Sequence, residues 1–132
     1  MNNKQAGTEF EREFCEILAI DGFWSHFMGG NRNGQPADII AVRNGFAYLI
    51  DAKDCKIDRF VLSRIEDNQH MAMRCWELCG NNQGLFALNT SKGVYMLTYG
   101  MVQVLDMADI KSLNIKSIEH YCVRYEDWRL EE

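Results

Sequence analysis

The sequence predicts a mixed α/β domain, a central sheet with helices packed against it. Three observations lead there. Two segments place apolar residues at helical intervals, and several short runs are rich in Ile, Val, Leu and aromatics. The two most apolar of these runs are joined by Asn44-Gly45, a strong short hairpin signal. The order is helix, three strands, helix, then two or more strands. With 132 residues the chain can build one core, and no repeat, low-complexity tract or linker divides it, so residues 1–132 read as a single domain.

The first helix is expected from Gly7 to about Ile20. Thr8 is placed as its N-cap, with Glu11 at the capping-box spacing, and Phe10, Phe14, Ile17 and Leu18 form an apolar face. Asp21-Gly22 ends it. Phe23 to Met28 reads as a strand, followed by the glycine-rich loop "GGNRNGQ" at residues 29–35. Ala37 to Arg43 and Phe46 to Ala52 form the hairpin around Asn44-Gly45, and both runs are apolar enough for strands covered on two faces. Ser63 to Leu78 reads as the second helix, closed by Gly80. Leu85–Asn89 and Val94–Thr98 are strands around a turn at "SKG", Met101–Leu105 is a candidate strand, and Asp106–Leu113 a short helix. The tail from Ser117 to Glu132 shows no assignable period.

Composition sets bounds on function. Apolar residues make up 47% and charged residues 25%, the profile of a folded water-soluble domain. No apolar run approaches the roughly 18 residues needed to span a bilayer, and the polar start Met1-Asn2-Asn3-Lys4-Gln5 does not resemble a signal peptide, so a cytoplasmic protein with no membrane contact is expected. The net charge of −5 argues against a protein that coats phosphates along its whole surface, but it allows a local basic strip or a carboxylate site that takes up metal ions. The five cysteines follow no secreted framework. Cys75 and Cys79 are four apart on a helix, yet no second close pair completes a zinc spacing, and free Cys commonly packs as a small apolar residue.

Three charges in the hairpin need an explanation. Asp38 lies six residues before Asn44 and Asp51 six after Gly45, so a two-residue turn sets them nearly opposite on adjacent strands. Solvated or salt-bridged strand ends would be the plainer account. Yet Asp is a poor strand residue, and opposed carboxylates repel and resist joint ionisation. A divalent cation taking oxygen ligands from both resolves that conflict. Alternation puts Lys53 on the face of Asp51, where an ammonium can orient a water and balance charge on a phosphate. The combination suits metal-assisted phosphodiester hydrolysis.

The string "Pro36-Ala37-Asp38 … Asp51-Ala52-Lys53" resembles the motif of the PD-(D/E)xK nuclease superfamily, with one residue inserted between Pro and Asp. "GTEFEREF" at 7–14 resembles the first-helix motif of the Holliday junction resolvases of the archaeal Hjc and bacterial RecU kinds, in which an acidic metal-site residue follows a Gly by four. "FVLSRIEDNQHMAM" resembles the stretch after the catalytic strand in the RecU kind, with Gln69 matching its glutamine and Asn68 standing where a histidine is usual. The likeness runs from Gly7 to Leu88. It implies a restriction-endonuclease-like mixed central sheet flanked by helices. It also implies a metal set of Glu11, Asp38, Asp51 and the Ala52 carbonyl for Mg²⁺, with Mn²⁺ as the alternative ion. Lys53 would serve the attacking water, and Gln69 would steady the site. The archaeal enzymes usually carry Glu at the place of Asp51, and no counterpart of the RecU stalk is visible. Taken alone, Glu11 also fits a capping partner of Thr8, and Gln69 a surface glutamine.

For nucleic acid, the candidates are Arg32 in the glycine loop and Lys56, Arg59 and Arg64 after the second hairpin strand, with Lys4, Arg12 and Arg43 extending the strip. His26 is the histidine best placed to approach the site; His70 and His120 read as ordinary helix or surface residues. The expected function is a metal-dependent structure-selective endonuclease, a Holliday junction resolvase acting as a homodimer on branched DNA in recombination or repair. A restriction-like or repair nuclease of the same superfamily, and a non-catalytic DNA-binding module on this scaffold, stay open as alternatives.

Overall fold

The computed structural model describes residues 3–28 and 37–131. Helix α1 (Asn3–Ile20) leads into strand β1 (Trp24–Phe27), and β2 (Ile39–Arg43) and β3 (Phe46–Asp54) form the hairpin. A short strand β4 (Phe60–Val61) and a single 3-10 turn (Leu62–Arg64) precede α2 (Asp67–Leu78). Then come β5 (Gly84–Thr90), β6 (Gly93–Thr98), α3 (Tyr99–Met107), β7 (Ser112–Leu113), α4 (Ile115–Tyr121), β8 (Val123–Arg124) and α5 (Tyr125–Trp128).

Among the described residues one six-stranded sheet has the order β1-β2-β3-β5-β6-β8, and β4 pairs with β7 in a small second ladder. Every pairing in the large sheet is antiparallel except β3 with β5, which run parallel through the α2 crossover. One face is covered by α1 and α5, with Phe10, Phe14, Leu18, Tyr125 and Trp128 packed on Ile39, Ala41, Ile50, Ala52, Leu85, Ala87 and Met96. The other is covered by α2, α3 and α4 through Met73, Tyr99, Val102, Leu105 and Ile118. β3 and β5 are therefore buried from both sides, whereas β2 alternates and is covered fully on one side only.

The hairpin follows from its turn. Asn44 (φ 54°) and Gly45 (φ 81°) both sit in the left-handed region, the conformation of a type I′ turn whose twist matches its strands. Arg43 then faces Phe46 and Ile39 faces Ile50, the register expected of a two-residue loop.

Other expectations are corrected. Helix α1 begins at Asn3, so Thr8 lies within it and is not its cap; Phe10, Phe14 and Leu18 are buried, but Ile17 is exposed. The second helix starts at Asp67 because Glu66 caps it, its side chain accepting from the Gln69 backbone while the Gln69 side chain returns to the Glu66 N–H. Residues 101–105 form helix and not strand: Thr98 caps α3 through the Met101 N–H, and Tyr99, Val102 and Leu105 recur every three residues toward the core. The stretch 106–113 holds the end of that helix and β7, not a helix of its own.

The tail folds back as a clamp. Arg129 pairs with Asp21 at 2.9 Å, and the Tyr125 hydroxyl donates to the same carboxylate at 2.7 Å. Trp128 stacks on Phe23 at 5.4 Å. Arg43 donates to the Asp21 and Arg129 carbonyls, with its guanidinium 4.1 Å from the Phe23 ring centroid. That role removes Arg43 from the expected basic strip.

Gly84 opens β5 where α2 comes closest: a Cβ there would overlap the Met73 sulfur and lie 3.2 Å from Met73 Cβ. Met73 is fully buried and has little room to move. Gly84→Ala should therefore destabilise the fold by about 1–3 kcal/mol in urea denaturation, and Met73→Ala in the same chain should recover part of that loss.

Candidate active site

The site lies where β3 emerges from the sheet. The hairpin register extends past β2: the Asp38 N–H donates to the Ile50 carbonyl at 3.1 Å, which sets Asp38 opposite Asp51. On its other side the Asp38 carbonyl accepts from the Met28 N–H at 2.7 Å, so the backbone at Asp38 is held by both neighbouring strands. Asp38 Oδ2 accepts from the Ala52 N–H at 2.8 Å.

Asp51 is only 2% exposed. Its Oδ2 receives the Lys53 ammonium at 2.9 Å and the Gln69 amide Nε2 at 3.3 Å. Lys53 also donates to Gln69 Oε1 at 3.3 Å and to the Arg64 carbonyl at 3.4 Å. The same Gln69 oxygen accepts the Glu66 N–H at 3.0 Å. Gln69 thus links the cap of α2 to both charged residues of β3, which a surface glutamine would not do. Its alternation partner on the sheet, the face shared by Leu49, Asp51 and Lys53, is the face that α2 covers.

The electrostatics follow from burial and like charge. The Asp38 carboxyl is pushed up to about 8, first by removal from water, then by the charge of Asp51 and their shared hydrogen bond, then by Glu11, against the Ala52 N–H. Glu11 is half-buried on α1, and its carboxyl is raised by burial and by Asp51, with Lys53 opposing. Three carboxylates and one ammonium therefore act on one another, and Glu11 acts on Asp38 more weakly than Asp51 does.

Asp38, Asp51 and Glu11 offer hard oxygen donors with excess negative charge, the donor chemistry of Mg²⁺ or Mn²⁺. Among the described residues no three His, Cys, Asp or Glu side chains are already gathered as a metal cage. The fit is thus of two convergent carboxylates with a third in electrostatic reach. Ala52 borders the same groove.

An open groove of about 610 Å³ runs past the site, lined by Glu11, Ala52 and Lys53 together with Lys56, Arg59 and Arg64. The 3-10 turn presents Arg64, whose Nη1 donates to the Asp54 carbonyl at 3.0 Å; Arg59 is braced by Ser112 Oγ at 2.7 Å. Asp54, absent from the sequence reading, also lines the groove and accepts from Asn89 Nδ2 at 3.0 Å. Alternation turns it away from Lys53, and only the end of the strand brings it back to the rim. Arg32 lies outside the described residues, as does the side chain of Lys4. Arg12 is exposed beside the Phe27 ring. His26 stacks on Trp24 at 6.0 Å, and His70 pairs with the Tyr99 hydroxyl at 3.0 Å; neither lines the groove.

A raised carboxyl pKa means that folding favours the protonated acid. The stability this contributes is complete below the unfolded value near 4 and is lost as pH climbs through about 8. Asp38→Asn keeps the shape of the neutral acid. In chelator, its stability relative to the parent chain should rise between pH 5 and pH 9 by about 1–3 kcal/mol, discounted for partial solvent access. Paired denaturation curves at the two pH values measure the difference.

No family model matches the chain, and no curated protein matches it by sequence. Among solved structures, the 1.6 Å structure of Archaeoglobus fulgidus Hjc, a Holliday junction resolvase from an archaeal hyperthermophile, is similar, with a TM-score of 0.70 at 17% identity. The match covers 93% of this chain and 99% of that one. The chain therefore has the fold of that archaeal resolvase, a mixed central sheet flanked by helices, as the PD-(D/E)xK resemblance implied.

Proposed function

We propose that the chain is a divalent-metal-dependent endodeoxyribonuclease of the Holliday junction resolvase kind, acting on branched DNA. The observation that carries this reading is the convergence of Asp38, Asp51 and Lys53 at the end of β3, beside a groove walled by three basic residues. The shared fold supports it.

In this reading Asp38 and Asp51 hold Mg²⁺ or Mn²⁺, with Glu11 and the Ala52 carbonyl as further ligands. When bound, the ion stabilises charge on the scissile phosphate and acidifies a water. Lys53 orients the attacking water and balances the negative charge that builds on the phosphate. Gln69 fixes the ammonium against Asp51, so the two side chains keep their separation when substrate arrives. Lys56, Arg59 and Arg64 contact phosphates, setting position without reading bases. A four-way junction needs two matched cuts, and a two-fold homodimer supplies two matched sites.

The direct test is cleavage of a synthetic four-way junction against a linear duplex of the same arms, with Mg²⁺. Junction cleavage is expected, falling about 10²–10³-fold in Asp51→Asn and Lys53→Ala. Equal cutting of linear duplex would replace the resolvase reading with a general or repair nuclease, and binding without cleavage in either ion would leave a non-catalytic DNA-binding module.

The basic wall is tested separately. If Lys56 and Arg59 each neutralise a phosphate, replacing both with Ala should lower the slope of log affinity against log salt by about 2. Fluorescence anisotropy across a salt series reads it.

A further inference from the structure

One flank of α2 carries sulfur that the proposed nuclease site does not use. Cys75 and Cys79 are free and exposed, and the Cys79 N–H donates to the Cys75 carbonyl at 3.0 Å. That hydrogen bond spans one helical turn, so the two side chains are neighbours on one face, about 5–6 Å apart at Cβ. Both line an open, almost wholly apolar pocket of about 360 Å³. Met28, just beyond β1, lines it from the sheet side together with Ile40, and Trp76 borders it from α2. Two thiols and a thioether from separate elements thus border one cavity. No carboxylate or histidine shares that lining among the described residues.

We propose that Cys75, Cys79 and Met28 form a binding site for a soft thiophilic cation of the Cu(I) class, separate from the carboxylate site. Thiolate and thioether donors select such a cation, whereas Mg²⁺ and Ca²⁺ seek oxygen and Zn²⁺ a fuller set of nitrogen and sulfur ligands. Cys79 is the C-cap of α2, where the helix end carries partial negative charge that favours a cation. On binding, each thiol loses its proton to solvent and forms a sulfur–metal bond, and the methionine adds a neutral third ligand. No electron is transferred. Cys55 and Cys122 are poor competitors, since burial pushes their thiols up to about 11 and about 12.

The experiment is an anaerobic titration of the full chain with Cu(I) against a chromophoric Cu(I) chelator, with tryptophan emission followed in parallel because Trp76 borders the pocket. The native chain should withhold about one equivalent from the chelator. Cys75→Ser, Cys79→Ser and Met28→Leu should each weaken retention by roughly tenfold or more, and the double cysteine variant should abolish it. Both cysteines are exposed, so circular dichroism should show the variants folded. No retained equivalent in the native chain, full retention in the double variant, or an unaffected Met28→Leu chain would each overturn the three-sulfur site. None of these readouts depends on nuclease activity.

Discussion

The organising constraint is the opposition of two carboxylates across a hairpin. The sheet buries Asp51 and half-buries Asp38, and the left-handed turn at Asn44-Gly45 denies them any other register. A one-residue slip would move both to the wrong face, but it would also turn Ile39, Ala41 and Ile50 away from α1. The apolar packing thus enforces an electrostatic conflict that the two acids could never hold by themselves. The surroundings then answer it piece by piece. Ala52 lends an N–H to Asp38, and Lys53 and Gln69 close on Asp51.

The same constraint explains why α2 sits where it does. Its capping box is usually a local device for satisfying the first amides of a helix. Here the glutamine that completes the box also reaches Asp51 and Lys53, so the start of the helix and the end of the strand share one polar network. The close approach at Gly84, where no side chain intervenes between β5 and Met73, keeps α2 close to the sheet. Loosening the helix would therefore disturb Lys53 before it disturbed the sheet, because Lys53 reaches three acceptors with a flexible stem while the strands are tied by backbone.

What was legible in the sequence was what depends on short-range rules. A two-residue turn and period-two alternation place Asp38, Asp51 and Lys53 without any knowledge of the rest, and the helical stripe of Phe10, Phe14 and Leu18 puts Glu11 at the border of the buried face. Illegible parts were those in which tertiary partners decide. Val102 and Val104 favour a strand by type, yet the Thr98 cap and the three-residue spacing of Tyr99, Val102 and Leu105 win once the core is there to receive them. The tail is cut into elements of two to seven residues, too short to show a period, and is held by a carboxylate more than a hundred positions away. Arg43 read as a phosphate contact because its partners, Asp21 and Phe23, are distant in sequence.

Net charge illustrates the limit of composition in another way. A chain of charge −5 repels a polyanion at long range, yet its basic residues are not spread evenly. Lys56, Arg59 and Arg64 fall within nine positions, and all three line the groove that Glu11 and Asp54 also border. A phosphate entering that groove would meet cations and acids together. In the proposed reading the acids repel it when no cation is bound and attract it through one. The acidic surplus thus makes metal uptake and phosphate binding interdependent in the proposed site. It also reconciles an acidic chain with the polyanionic substrate proposed for it.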